Sequence, residues 1–595
     1  MVPQFGTELW FAAFGADAEE EVMFSGGDAD FLEKGWRLAA HILPGRKRAS
    51  LTRETRVNLL RMRLRIMGAG NTGRGVFAAI LAMVLAGPVF AALRLPAIIG
   101  DRMVLQQKQE NPVWGWDDPG TRVTVTFGDQ KKVGVAGPDG RWTVRLDGEV
   151  ANAVPRTMLV SGTTSREVKD VLIGEVWMCS GQSNMGFQVG GDFKGDIEAA
   201  ASNLPNLRLI RVPNRGTQEL QEDFNGEWRA SSAETAKPFS AVGFFFGRYL
   251  HQILGVPIGL IDNSWGGSAA EAWVRRGTID QDPRFAELIR GWREKEAFLE
   301  SVAAKEKHEK ELAEWKEYAE KAKGTLKPGQ VLRRQPQPPQ QVLTGNQRPG
   351  NIFAGVLNPT LGYGIKGVIW YQGESNASRA WEYRELFPMM IQEWRKEWKQ
   401  GDFPFYWAQL ADFKEEKVSG ESDWAELREA QTLAMRLPNS GQAVITDLGE
   451  GRDIHPRNKY DVAGRLVRWA LVKDYGMKFV HRSPELKECT FDGGKARVTL
   501  ELFGSKLRPF DVLEARGFVL CGEDRVWRVA KGEIVDLAQG IIEVASPEVA
   551  KPIAVRYAWA DNPVCNLFNE QGLPVTPFRS DNFEMITKPK AASGK

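Results

Sequence analysis

Between residues 171 and 478 the chain alternates short apolar runs with longer amphipathic ones, and this alternation restricts the fold more than any other feature of the sequence. We predict strands at residues 174–179, 256–263, 367–371, 403–410 and 443–447, and helices at residues 241–254, 383–398, 423–436 and 459–475. Strands separated by helices pair in parallel, because each helix carries the chain back across the sheet. The alternation therefore predicts an α/β domain whose parallel sheet is covered on both faces.

The segments on either side of this domain have a different pattern. The chain has 595 residues, too many for one core, and residues 93–170 form short alternating runs broken by turns such as Asp139-Gly140. This pattern predicts a β-sandwich domain at residues 93–170 and a C-terminal β region at residues 479–595. An insertion at residues 290–341 is rich first in Glu, Lys and Ala and then in Pro and Gln, which predicts a solvated helix or helical hairpin followed by an extended linker.

The start of the chain carries a targeting pattern. Residues 76–86 are apolar, follow a basic stretch ending at Arg74, and precede a small-residue cleavage pattern at residues 89–91. We predict a signal peptide at residues 67–92, and hence a secreted or periplasmic protein that is not stably inserted in a membrane after cleavage. Residues 1–66 lack a domain pattern, so we expect a gene-start artefact or a disordered segment, with translation beginning at Met62 or Met67.

Charge and cysteine usage exclude several classes of protein. The formal net charge of +2 gives no reason to expect a nucleic-acid partner. The four cysteines form no C-x-x-C pair and the five histidines are scattered, so we expect neither a metal nor an organic cofactor. One disulfide among the three cysteines of the last third is compatible with the sequence. The sequence does not determine the oligomeric state.

Three loops that follow predicted strands carry side chains suited to catalysis, because ligands of a parallel sheet bind at the carboxyl ends of its strands. The first loop has the sequence CSGQSNM at residues 179–185, where a strand-to-helix turn exposes Ser183 and its own N–H can face an oxyanion. The second contains Gly266 and Gly267, whose backbone can approach a ligand and donate an N–H.

The third loop, WYQGESN at residues 370–376, adds polar side chains. Gln372 and Asn376 carry amide donors that suit an oxyanion, and Glu374 is an acid that needs a partner if it is buried. Each of the three loops is also compatible with a purely structural turn.

A nucleophilic serine needs a base, and His455 is the candidate that remains after elimination. Of the other histidines, His41 precedes the predicted signal peptide, His308 lies in the charged insertion, His251 lies within a helix and His481 lies in a basic turn. Only His455 combines a strand-end loop, a neighbouring carboxylate and the start of a helix.

Four segments in this order resemble the sialate O-acetylesterase family, a carbohydrate-esterase branch of the SGNH hydrolases. They are GEVWMCSGQSNM at residues 174–185, NSWGGSAAEAW at 263–273, WYQGESN at 370–376 and DIHP at 453–456. The similarity extends over roughly residues 93–585. The resemblance implies an SGNH-hydrolase-like three-layer α/β fold with a parallel sheet, flanked by N- and C-terminal β-sandwich regions, with the esterase domain at residues 171–478.

The resemblance also implies roles for the site residues. Ser183 is the expected nucleophile and His455 the base, and the oxyanion is held by the N–H of Ser183, by that of Gly266 or Gly267, and by an amide of the third loop. The superfamily's usual third block is G-x-N-D, whereas Gly373 is followed here by Glu-Ser-Asn, so that Gln372 and Asn376 compete for the amide role.

The acid of the catalytic triad has two candidates. The superfamily's usual final block is D-x-x-H, but Arg452 stands three residues before His455. The acid is therefore Asp453, which we favour, or Asp447 at the end of the preceding strand, while Glu374 supports the site. We expect a serine esterase that removes O-acetyl groups from a carbohydrate, in the manner of a sialate O-acetylesterase.

Other functions remain as alternatives. One is an acetylxylan esterase or another glycan acetylesterase, because loops select the sugar. A glycosidase that pairs Glu374 with an aspartate would leave Ser183 and His455 without roles. The third alternative is a non-catalytic glycan-binding protein.

Overall fold

The computed structural model describes residues 92–323, 325–326, 332–416 and 420–589. The predicted upstream segment at residues 1–66 and the predicted signal peptide, apart from its last residue, lie outside the described residues. Within the described part of the chain, no helix is both long enough and apolar enough to cross a membrane.

The N-terminal region is mainly antiparallel β structure, although β1 pairs with β7 in parallel, and its last strand continues into the next region. Its strands are β1 (Val104–Gln106), β2 (Asn111–Trp116), β3 (Arg122–Phe127), β4 (Gln130–Val135), β5 (Arg141–Leu146), β6 (Asn152–Ser161) and β7 (Ser165–Gly181). Strand β2 pairs with β5, and β3 pairs with β4 and β6. The predicted domain boundary after residue 170 falls inside β7, which pairs with β6 through its first half and enters the parallel sheet with its second.

The parallel sheet lies at the centre of the described structure. It adds strands β8 (Leu204–Arg211), β9 (Arg229–Ser231), β10 (Ile258–Asp262), β11 (Gly367–Tyr371), β12 (Phe405–Ala408) and β13 (Ser440–Ala443). The order is β13-β12-β11-β7-β10-β8-β9, in which every neighbouring pair except β8 and β9 is parallel. A parallel sheet was predicted, and the structure confirms it.

The last strand of this sheet differs from its prediction. We predicted residues 443–447, but the ladder with β12 joins Phe405 to Ser440 and ends at Ala443. The apolar residues Val444 and Ile445 are buried beyond the end of the ladder. Their apolar character therefore indicated that the segment is buried, but it did not indicate which residues pair with β12.

Helices cover both faces of the parallel sheet. They are α1 (Ser183–Gly186), α2 (Gly195–Ala200), α3 (Ala233–Ala236), α4 (Ala241–Leu254), α5 (Arg276–Gln281), α6 (Ala286–Leu299), α7 (Val302–Ala322), α8 (Pro339–Leu343), α9 (Ala380–Trp398), α10 (Asp423–Leu433) and α11 (Lys459–Lys473). Val176 and Met178 of β7 belong to one hydrophobic core together with α9, whereas Trp177 and Cys179 belong to a second core together with α4 and α11. Alternate residues of one strand are thus buried on opposite faces. Helices α6 and α7 form the predicted helical part of the insertion.

The C-terminal region is β structure, as predicted, and its strands pair antiparallel. Its strands are β14 (Glu485–Asp492), β15 (Lys495–Glu501), β16 (Leu507–Pro509), β17 (Ala515–Cys521), β18 (Arg528–Asp536), β19 (Ile541–Ala545), β20 (Ala554–Tyr557), β21 (Leu567–Asn569) and β22 (Phe578–Arg579). Seven of them form one sheet in the order β14-β15-β19-β18-β17-β20-β22, and β16 pairs with β21. All four cysteines of the chain lie in the described part and none forms a disulfide.

Candidate active site

Ser183 lies where β7 ends and the first helical turn begins. It is the first residue of α1, directly after the N-cap Gln182. Gly181 allows this turn, because its φ is +131° and a Cβ atom there would lie 2.2 Å from the carbonyl oxygen of Tyr371 on β11. Ser183 is half-buried, and its hydroxyl makes no hydrogen bond to any described residue. The strand-to-helix turn therefore presents the hydroxyl free of internal partners.

The glycine turn after β10 packs against Ser183. A Cβ atom on Gly266 would lie 3.3 Å from Ser183 Cβ, and the N–H of Trp265 donates to the carbonyl oxygen of Gly181 at 2.9 Å. Gly267 has a φ of +71°, which completes the turn. The carbonyl oxygen of Gly266 accepts from the side-chain amide of Asn346.

Three backbone N–H groups of the Ser183 turn and the glycine turn have no acceptor among the described residues. They belong to Ser183, Gly266 and Gly267. Ser183 and Gly267 are half-buried and Gly266 is exposed, so these N–H groups are open to a ligand that approaches the serine hydroxyl. Preorganised N–H groups of this kind stabilise a negative oxygen.

The two amides of the third loop are engaged with other protein groups. Gln372 donates from Nε2 to Ser268 O at 3.1 Å and to Asn376 Oδ1 at 2.8 Å, and its Oε1 accepts from the Tyr383 hydroxyl at 3.0 Å. Asn376 donates from Nδ2 to Glu271 Oε2 at 3.0 Å. Both amides tie the third loop to the glycine turn, and an oxyanion role for either stays a prediction.

His455 lies in the loop between β13 and α11, next to Asp453. The Nδ1 atom of His455 is 3.3 Å from Asp453 Oδ1, which also accepts from the backbone N–H of His455 at 2.9 Å. Asp447 instead pairs with Arg465 at 2.5 and 2.6 Å. Of the two predicted acids, Asp453 is the one in contact with the imidazole.

The Ser183 and His455 loops are hydrogen-bonded to each other through Asn184. Its Nδ2 donates to Ile454 O at 3.0 Å and to Glu374 Oε1 at 2.6 Å. Asn184, which follows Ser183, is thus hydrogen-bonded to Ile454, which precedes His455. Loops that follow β7, β10, β11 and β13 are brought together at the carboxyl edge of the sheet, as the sequence predicts.

Glu374 is a second carboxylate that acts on the imidazole. Burial raises its pKa, and the hydrogen bond from Asn184 together with the charges of Lys459 and His455 opposes that rise. Its Oε2 atom is buried without a partner among the described residues. Glu374 therefore lies within electrostatic reach of His455.

Lys459 is a site residue that sequence reasoning missed. It is fully buried, and its Nζ donates to Asn184 Oδ1 at 2.7 Å and to Pro456 O at 2.5 Å. Burial lowers its pKa to about 7, with Glu374 as the largest opposing charge. The sequence contained a signal for this residue: Lys459 lies three residues before Val462 on the apolar face of α11, where a lysine is unusual.

A serine in a strand-to-helix turn, with unpaired N–H groups beside it and a histidine on the last loop of a parallel sheet, defines a carboxylic ester hydrolase. Comparisons with known proteins agree. Residues 356–461 match the family model "Carbohydrate esterase, sialic acid-specific acetylesterase", a stretch that includes the third loop and His455.

Curated relatives match over most of the chain. The sialate O-acetylesterase of Mus musculus is 28% identical over 560 residues, covering 83% of this chain and 98% of the relative. That of Rattus norvegicus is 30% identical over 427 residues, covering 65% of this chain and 74% of the relative.

A solved structure extends the likeness to the fold. A carbohydrate acetylesterase from Xanthomonas citri is 35% identical, with a TM-score of 0.69, and the match covers 83% of this chain and all of that one. The chain belongs to the sialate O-acetylesterase family.

Proposed function

We propose that this protein hydrolyses O-acetyl esters on carbohydrates, with Ser183 as nucleophile and His455 as base. One observation carries the proposal: the glycine turn with the unpaired N–H groups of Gly266 and Gly267 packs against Ser183, whose own N–H and hydroxyl have no internal partner among the described residues. Such an arrangement fits the oxyanion of acyl transfer, and no step requires a metal or an organic cofactor.

The reaction proceeds in two steps. His455 takes the proton of the Ser183 hydroxyl, and the oxygen attacks the acetyl carbonyl to form a tetrahedral intermediate. The intermediate collapses when the sugar oxygen leaves with the proton from His455, and water then hydrolyses the acetyl-enzyme by the same route. Asp453, 3.3 Å from Nδ1, orients the imidazole and stabilises its protonated form, and Glu374 supports it from the buried side.

The fold and the location of the protein belong to the same proposal. The parallel sheet with helices on both faces supports an SGNH-type three-layer domain, flanked by two β-sandwich regions. The signal-peptide pattern at residues 67–92 supports a secreted or periplasmic enzyme. N-terminal sequencing of the protein recovered outside the cytoplasm is expected to begin near residue 93, and recovery of a cytoplasmic chain that still carries residues 67–92 would contradict this location.

Acetate release tests the chemistry. We expect Ser183→Ala to lower the release from p-nitrophenyl acetate by on the order of 10⁴-fold or more, because no other group supplies the nucleophile. Ser180→Ala is the matched control, since it removes a buried hydroxyl without a partner three residues upstream and leaves the nucleophile in place. Loss of activity in both variants, or in neither, would contradict the assignment.

The substrate is tested with the same pair of proteins. The two alternatives are O-acetylated sialic acid, which the names of the curated relatives suggest, and acetylated neutral glycans such as acetylxylan. The higher kcat/KM of the wild type identifies the preferred glycan. A folded wild type that releases acetate from none of these esters would favour a non-catalytic glycan-binding protein.

A further inference from the structure

A cavity lies between the parallel-sheet domain and the C-terminal β region. Its volume is about 610 Å³, within the range of sites that bind small ligands. Asp412 and Thr446, which follow β12 and β13, form one wall, and Phe510, Asn562 and Phe568 of the C-terminal region form the other. We call it the inter-region cavity.

The inter-region cavity opens on the same edge of the sheet as Ser183. Strands β12 and β13 lie two and three positions from β7 in the sheet, which places their ends about 10 to 14 Å from the end of β7. The loop that carries His455 begins in this wall, and a Cβ atom on Gly451 would lie 2.9 Å from Asn562 Nδ2. One loop therefore joins the cavity to the catalytic histidine.

Two buried polar atoms of the cavity lining have no partner among the described residues. They are the hydroxyl of Thr446 and the Nδ2 atom of Asn569. The Oδ1 atom of Asn569 accepts from the N–H groups of Gln571 and Leu573, so the side chain is held in place while its donor stays free. Both atoms are shielded from solvent, so the open surface of the cavity is formed by other atoms of the lining.

Two aromatic rings stand at the cavity beside these groups. Phe510 is 70% exposed, and its ring lies 6.1 Å from that of Phe568, centroid to centroid. The backbone N–H of Phe510 donates to Asn566 O at 2.7 Å, which fixes its position. An exposed aromatic ring held by the backbone offers a flat apolar surface beside polar groups, which suits the face of a sugar ring.

The charges at the lining are nearly balanced. Asp447 pairs with Arg465 and the charge of Arg428 acts on Asp412, which leaves Glu416 against the guanidinium of Arg508. Carboxylates accept hydrogen bonds from hydroxyl groups but repel another carboxylate. The lining therefore suits a hydroxyl-rich, uncharged ligand.

We propose that the inter-region cavity binds a neutral sugar residue of the glycan whose acetyl group is removed at Ser183. This assignment rests on the proposed function and makes the C-terminal β region part of substrate recognition. It also predicts that glycans with neutral sugars on the chain are bound better than those with a sialic acid there.

Binding is measured on full-length Ser183→Ala, which cannot turn the ligand over. The probes are xylohexaose, cellohexaose and mannohexaose, with sialyllactose as the anionic comparison, in titration calorimetry. We expect at least one neutral hexasaccharide to bind more tightly than sialyllactose. Adding Phe510→Ala should raise its Kd about tenfold, as for truncation of an aromatic anchor.

Two further variants separate recognition from folding. Thr446→Val is nearly isosteric and removes a hydroxyl that is shielded from the cavity and has no partner among the described residues, so it should leave the Kd unchanged without lowering the melting temperature. Phe491→Ala, on β14 and outside the cavity, is the matched control and should leave the Kd unchanged. Failure of all three neutral probes to bind, an unchanged Kd in Phe510→Ala, or tighter binding of sialyllactose would overturn the proposal.

Kinetics distinguish this proposal from the esterase assignment. With Ser183 intact, Phe510→Ala should lower the ratio of kcat/KM on the acetylated glycan to kcat/KM on p-nitrophenyl acetate. An unchanged ratio would reject the cavity as a sugar site while leaving the esterase intact. Absence of wild-type turnover of p-nitrophenyl acetate would reject the esterase assignment. Sugar binding in the cavity would still be decided independently, by the calorimetric titrations.

Discussion

The parallel sheet and the C-terminal antiparallel sheet bury their strands in different ways. Strands β10, β11 and β12 are buried at every residue, whereas β15 and β18 alternate between buried and exposed residues. A sheet covered by helices on both faces has no solvent-facing residues to alternate. Its strands also all end at one edge, so its loops converge on a common site, while antiparallel strands send their turns to both ends.

The largest expected effect tests this difference directly. Ile261 of β10 is fully buried, and Ile261→Ala should lower the free energy of unfolding by about 2–5 kcal/mol through lost burial and a cavity. Val529 of β18 is 60% exposed, and Val529→Ala should change it by less than about 0.5 kcal/mol. Urea denaturation measures both, and equal effects would contradict the contrast between the sheets.

The next effect concerns chemistry at the converging loops. Asp453→Asn should lower kcat by about 10²-fold, because the imidazole loses the carboxylate beside Nδ1. The effect is smaller than for a buried triad acid, since the Asp453 side chain is 60% exposed and Glu374 remains. Asp447→Asn is the control and should leave kcat within about threefold, because Asp447 binds Arg465. A larger loss in Asp447→Asn would assign the acid to Asp447.

The third effect is a dependence of stability on pH. Lys459 releases its proton near pH 7 in the folded protein and near 10.5 in the unfolded chain. Between these values the unfolded chain binds more protons, so this group makes stability rise with pH, and it adds no slope below pH 7. Lys459→Met should remove that rise.

The comparison is made by urea denaturation at several pH values between 7 and 10.5, the interval set by the two pKa values of Lys459. Lys131→Met, at an exposed position of β4, controls for the loss of a lysine charge. If the wild type and Lys459→Met change in parallel over this range, Lys459 is protonated in the folded protein and the assignment of a lowered pKa is wrong.

Local patterns were sufficient for the four long helices α4, α9, α10 and α11 and for several strands of the parallel sheet, but β8 and β9 were not predicted. Helix α4 and strand β11 were predicted at their observed bounds, and the structure adds a hydroxyl cap on α4 at Ser240. The prediction of β13 was wrong because its paired residues, beginning with Ser440 and Gly441, are small and polar, and only their alignment with β12 makes them a strand. The end of the N-terminal region was placed at a change of pattern, although a single strand, β7, crosses it.

The sequence by itself determined the parallel α/β class, the order of the four loops, and Ser183 and His455 as candidates for the chemistry. These follow from periodicity and turn residues within short windows, since strand ends are local features that a parallel sheet must gather at one edge. Only the tertiary structure decided which aspartate contacts the imidazole. Asp447 pairs with Arg465, eighteen positions away on α11, whereas Asp453 contacts His455. The tertiary structure alone also buried Lys459 between Asn184 and Glu374 and closed a cavity against the C-terminal region. Pairing of charges and donors depends on which distant side chains packing brings within hydrogen-bond distance, and no local window contains that information.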